Sequence, residues 1–249
     1  MQSGSVKTLF LAWQAPSRVW FPVGRLVADQ ANHSYQFDYI QGALKAQLEA
    51  GFEPLLAFPD FDQHYCASEL FPLFKNRIIS SGRKDFADYL RSLDIDPENP
   101  DLMEVLAVTG GERQTDNFEV FPKVNRQADG SFKCRFFLHG LRHVNPLAIP
   151  RAQELTDGES LQVSVEVNNP VTRIAVLLHT RDYMTLGWTP RYLVTDLLEA
   201  MSGAPVLNAC VVKANPPSTP INRRYLIELD GHLPAGFDPM SGQDYQPIH

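Results

Sequence analysis

Cysteine is scarce: three residues in 249, Cys66, Cys134 and Cys210, spaced roughly 70 apart with no CxxC pair. An odd, scattered set encodes neither a disulfide framework nor a cysteine-rich zinc site, and buried free thiols are the expectation. Long apolar runs are missing too. The longest, Leu9 to Trp13 and Ile174 to Leu178, fall far short of the roughly 20 residues that a bilayer span needs. The first residues lack the charged-then-apolar pattern of a secretory leader, so a cytoplasmic protein without membrane contact is expected. Charge is modest at 20%, and its sum is −7, which excludes a surface coated in basic residues for nonspecific nucleic-acid binding.

What is present is apolar mass, 44% of the chain, enough for one large or two small cores. The charge is uneven. Residues 1–125 hold 11 Lys and Arg against 17 Asp and Glu, whereas residues 130–229 hold 10 against 8, together with His139, His143 and His179. An anionic partner therefore belongs to the second half and a basic partner to the first.

The first 40 residues alternate as half-buried strands over Val6 to Trp13, Val19 to Val27 and Tyr35 to Ile40. A helix over Gly42 to Ala50 stops at Gly51, and Glu53 to Pro59 reads as a strand between prolines. Leu70, Phe71, Phe74 and Ile78, then Phe86, Tyr89, Leu90 and Leu93, predict two helices, the second capped by Ser80 or Ser81. The acidic, Pro-broken tract Asp94 to Asp101 leads into a helix over Leu102 to Val108 that ends at Gly110-Gly111. Asn117 to Pro122 is a strand and Asn125 to Gly130 a polar turn or domain boundary. Beyond it, strands are expected over Phe132 to His139, Ser160 to Val167, Arg173 to His179, Pro205 to Lys213 and Arg223 to Leu229. One amphipathic helix, Pro190 to Met201, interrupts them, and residues 231–249 read as a loose tail.

Motifs for chemistry are sparse. Thr109-Gly110-Gly111-Glu112 has neither phosphate-loop nor dinucleotide spacing and reads as a glycine helix stop. The Asp94 to Asp101 tract lacks the glycine and the closing glutamate of a calcium loop. Asp60, Asp62 and His64 form the one short cluster with metal or hydrolytic character, without a second set to match it. No GxSxG elbow, SxxK or kinase residue set occurs, so the chain reads as a non-enzyme without a cofactor. In the second half, Arg142, His143, Asn169, Arg173, Arg181, Trp188, Arg191 and Tyr192 combine phosphate donors with planar side chains on which bases stack.

Four ordered blocks carry a resemblance. Phe136 to His143 (FFLHGLRH), Leu155 to Leu161 (LTDGESL), Glu166 to Val176 (EVNNPVTRIAV) and Leu186 to Leu193 (LGWTPRYL) resemble the HIRAN domain over residues 130–230. HIRAN domains are small β-barrels related in shape to OB folds, found in fork-remodelling helicases and as stand-alone bacterial proteins, and the best-studied type grips single-stranded DNA at a 3′ end. The resemblance implies that Arg142 holds phosphate, His143 replaces a stacking tyrosine and Asn169 orders its loop. Trp188 and Arg191 would stand at the last block. Val171 takes the place of a stacking aromatic and Thr172 that of an acid that meets the strand end. A second resemblance, carried by Leu70 to Ile79 (LFPLFKNRII), Arg83, Tyr89, Leu90, Leu93 to Ile95 and Leu106 to Gly111, is to the non-catalytic N-terminal subdomain of HipA-type toxin kinases, which packs on a kinase core. It implies protein contact through residues 1–125.

The expectation is thus an α+β protein, a mixed α/β module at residues 1–125 followed by an OB-like barrel with one main helix at 130–230. It acts as a non-enzymatic adaptor that contacts single-stranded DNA or DNA 3′ ends and docks a protein. The alternative is an antitoxin-like regulatory subunit that faces proteins with both halves.

Overall fold

The computed structural model describes residues 6–113, 115–203 and 207–248. The chain is α+β, with two antiparallel sheets and short helices, and divides into two compact units. The first comprises residues 1–90, 95–123 and 240–249, and the second comprises residues 91–94 and 124–239.

The first unit is built on a five-stranded sheet. β1 (Lys7–Gln14), β2 (Trp20–Asp29) and β3 (Ser34–Tyr39) form a meander, β4 (Tyr65–Ala67) adds to β3, and β5 (Phe118–Pro122) pairs with β1. Period-two alternation sends Leu9, Leu11, Leu26, Phe37 and Tyr39 to one face. There they pack on Ala43 and Ala46 of α1 (Gln41–Ala50) and on Met103 and Leu106 of α4 (Leu102–Thr109). Gly51 ends α1 in the left-handed region at φ 71°. Asp101 opens α4 by accepting the amide protons of Met103 and Glu104, and Gly110 closes it at φ 70°. The Gly-Gly pair is therefore a helix stop.

Several expectations are corrected here. Glu53 to Pro59 is no strand: Leu55 and Phe58 form a single bridge around an exposed Leu56. Prolines 54 and 59 withdraw backbone donors at both ends, and the Tyr39 hydroxyl holds the turn closed. It accepts from the Leu55 amide at 2.7 Å and donates to the Phe58 carbonyl at 2.8 Å. α2 (Pro72–Lys75) is one turn long, and α3 (Phe86–Ser92) starts five residues after Ser81. Ser80 Oγ accepts from the Gly82 amide at 3.3 Å instead of capping the helix.

The chain end is not loose. Pro247 bridges to Ile40, the Gln41 amide donates to the Gln246 carbonyl at 2.8 Å, and the Tyr245 ring stands 4.8 Å from that of Phe10. Its prolines and glycines break periodicity, but Tyr245 still buries an aromatic face. Cys66, expected among buried thiols, is exposed on the edge strand β4, whereas Cys134 is buried. Burial pushes the Cys134 thiol up to about 12 and also raises that of Cys210.

The second unit carries a six-stranded antiparallel sheet. Its strands are β6 (Ser131–Phe137), β7 (Ser160–Asn169), β8 (Arg173–His179), β9 (Thr185–Trp188), β10 (Asn208–Ala214) and β11 (Tyr225–His232), in the order β6-β11-β10-β7-β8-β9. Val176, Leu178, Leu186, Val211, Leu226 and Leu229 are buried, with Leu197 and Ala200 of α6 (Val194–Ser202). Among the described residues the strand ladder has two edges, β6 and β9. The gap between the edge strands is spanned by one bridge, in which His139 and Trp188 exchange backbone hydrogen bonds at 3.0 and 2.9 Å.

The expected helix from Pro190 begins as a 3-10 turn, Arg191–Leu193, before α6. The strand expected from Pro205 starts at Asn208, and Pro205 itself lies outside the described residues. β9 and the short α5 (Ala148–Gln153) were not anticipated. No helix among the described residues is long and apolar enough to cross a membrane.

Candidate nucleic-acid interface

The hairpin of β7 and β8 supplies the centre of the site. β7 reads SLQVSVEVNN, so Ser164 and Glu166 share one face and Val163, Val165 and Val167 the other. At its end the register slips between Val167 and Asn169, and the turn Pro170-Val171-Thr172 returns the chain to Arg173. Asn168 and Arg173 flank that turn with φ of 68° and 66°.

Asn169 organises the turn. Its side-chain Oδ1 accepts from the Val171 amide at 3.0 Å, from the Thr172 amide at 3.0 Å and from the Thr172 hydroxyl at 3.1 Å. Such side-chain to backbone bonds replace ladder pairing where the strand must reverse. Its Nδ2 donates to Glu166 Oε2 at 2.8 Å. The Trp188 indole Nε1–H donates to the same oxygen at 2.7 Å. One carboxylate oxygen thus ties β7, the turn and β9 into a single network, with the half-buried indole fixed at its rim.

Gly140 meets Trp188 from the other side. It stands at φ 75°, and a Cβ built there would lie 2.4 Å from Trp188 Cε3. This left-handed glycine leads into the 3-10 turn Leu141–His143. Leu141 is buried and anchors that turn, leaving Arg142 and His143 exposed. Arg142 Nε donates to His143 Nε2 at 3.0 Å. Arg191 opens the turn three residues after Trp188 and is exposed.

The predicted residues are therefore brought together in part. Asn169, Thr172 and Trp188 join through hydrogen bonds, and Arg142 and His143 follow the glycine packed on Trp188. Val171 sits at the turn with 80% of its surface exposed. Glu166 stands in the third of the four resemblance blocks, and the resemblance assigns it no role. The available signal was its alternation with three valines, which marks it as a polar residue on the opposite face.

A neighbouring pair on the same strands was also missed. Ser164 Oγ lies 2.6 Å from His179 Nε2, and Thr185 Oγ1 lies 3.2 Å from His179 Nδ1. Burial lowers the His179 pKa, which favours the neutral imidazole.

In the first unit, His64 pairs with Asp38, Nδ1 to Oδ1 at 2.6 Å. Asp60 Oδ1 accepts from the Asp62 amide at 2.9 Å, as in an ordinary Asx turn. Among the described residues no group of three or more His, Cys, Asp or Glu stands close enough to hold a metal ion.

Comparison of the chain with family models, curated proteins and solved structures gives no match.

Proposed function

We propose that the second unit is a HIRAN-like, OB-like barrel that binds single-stranded DNA, including 3′ ends, and that the first unit docks a protein, making the chain a non-enzymatic cytoplasmic adaptor. The observation that carries the reading is the network at the end of β7. Asn169 preorganises the Pro170–Thr172 turn, and Glu166 links that turn to a fixed, half-buried indole beside exposed Arg142 and His143. A rigid aromatic platform beside a cationic side chain is the combination that single strands use. The His139–Trp188 bridge, which joins the two edges of the six-stranded sheet, supports the barrel reading. Residues 1–125, with 17 acidic against 11 basic side chains, suit a basic protein surface.

One observation favours the antitoxin-like alternative. Val171 offers no ring at the tip of the turn, and the Thr172 hydroxyl already donates to Asn169. Fluorescence anisotropy of single strands with a free or blocked 3′ hydroxyl, at low and moderate salt, separates the two. End-sensitive binding is the expected outcome, and no binding at low salt transfers the assignment to a protein-facing regulatory subunit.

A further inference from the structure

Resting on the nucleic-acid reading above, we infer that Glu166 selects among bases at this site, favouring those with an exocyclic amine over thymine. Both hydrogen bonds that Glu166 receives fall on Oε2, from Trp188 Nε1 and Asn169 Nδ2, and Oε1 is taken by neither. Both donors are neutral side chains, so neither forms an ion pair with this carboxylate. An ionised carboxylate accepts hydrogen bonds and donates none.

The indole N–H lies in the ring plane, so the carboxylate 2.7 Å from Nε1 sits at the rim of the Trp188 ring. A base stacked on that ring lies parallel to it at van der Waals distance and projects its Watson–Crick edge over the rim. Cytosine and adenine carry an amine there, and a carboxylate accepts from the cytosine amine. Thymine offers one N–H between two carbonyl oxygens, which a carboxylate repels. The sequence-independent part of binding falls to Arg142 and the phosphates, whereas Glu166 lowers total affinity and adds discrimination.

The test compares oligo-dC with oligo-dT of equal length by anisotropy, using the full chain and the Glu166→Gln variant. Both are pyrimidine strands, so stacking area is nearly matched. The wild type is expected to prefer oligo-dC about tenfold, the discrimination of one charge-assisted hydrogen bond. Glu166→Gln keeps an amide oxygen for Trp188 and Asn169 but adds a donor that thymine accepts. It is expected to bind both strands more tightly and to lose the preference. Glu166→Asp, with a shorter reach, is expected to weaken the preference and serves if the glutamine variant unfolds. Equal wild-type affinity for the two strands overturns the inference while leaving the nucleic-acid reading standing. A preference retained in both variants overturns it as well. No binding of either strand overturns the nucleic-acid reading itself, and the inference with it.

Discussion

Gly140 and Arg142 stand two positions apart and bear on the proposed binding through different physics. Gly140 holds φ 75° with its α-carbon against the indole, so Gly140→Ala both strains the backbone and drives a methyl into Trp188. A loss of roughly 1–3 kcal/mol in unfolding free energy is expected, with weakened single-strand binding because the platform shifts. Chemical denaturation followed by anisotropy checks both, and a variant that is as stable and as tight as the parent sinks the packing argument. Arg142 is exposed, so Arg142→Ala should leave stability within about 0.5 kcal/mol. If it meets a phosphate, the slope of log affinity against log salt falls by about 0.7 for a single strand. An unchanged slope would remove Arg142 from the interface. Arg142 was legible in the sequence as a cation in a basic stretch. The hydrogen bonds of Glu166 were not, because one of its two donors, Trp188, stands 22 residues away on another strand.

At the scale of elements, β3 shows what alternation reveals and what it hides. Its odd positions Phe37 and Tyr39 were readable as core, but the partner of Asp38 was not, since His64 lies 26 residues away across the β3–β4 pairing. Asp38 is buried, which opposes its charge, yet bonds from His64, Gln36 and Arg25 outweigh that and hold its carboxyl below the usual value. A carboxyl lowered in the folded state adds stability above its unfolded pKa, near 4, and the benefit fades as pH falls through the folded value. The first unit is therefore expected to lose stability as the pH falls below about 5. Asp38→Asn should be less stable at neutral pH and flatter over that acid range. Thermal midpoints of both proteins across the range decide it, and parallel acid limbs would assign the loss to other carboxylates. Long strands and α1 were predictable because each buries a periodic face. β4, with three residues, and β9, with four, are too short to show a period, and their pairing partners alone define them.

At the scale of the whole molecule, the two charge regimes of the sequence announced two units, but not that the first is assembled from both ends of the chain. Residues 240–249 return to it after the second unit is complete. Nothing local predicts this, because the tail has little periodicity and its partners lie some 200 residues earlier. The Tyr245 ring packs edge-on against Phe10 at 4.8 Å and Phe121 at 6.5 Å, two buried rings of β1 and β5. Lys45 of α1 pairs with Asp244 at 2.8 Å, and a Cβ on Gly42 would meet the Asp244 carbonyl at 3.0 Å, so helix and tail fit closely. A chain ending at Pro239 uncovers Phe10 and Phe121 and forfeits aromatic contacts worth roughly 0.5–1.5 kcal/mol beyond the apolar area they bury. The exposed ion pair adds little to that loss. The truncated chain should thus unfold its first unit earlier than the full chain. Single-strand affinity should be kept, because residues 124–239 contain every candidate interface residue. Tyr245→Ala in the full chain should reproduce most of the destabilisation without removing backbone. Truncated and substituted chains that both melt with the parent would show that the tail rests on the first unit without supporting it.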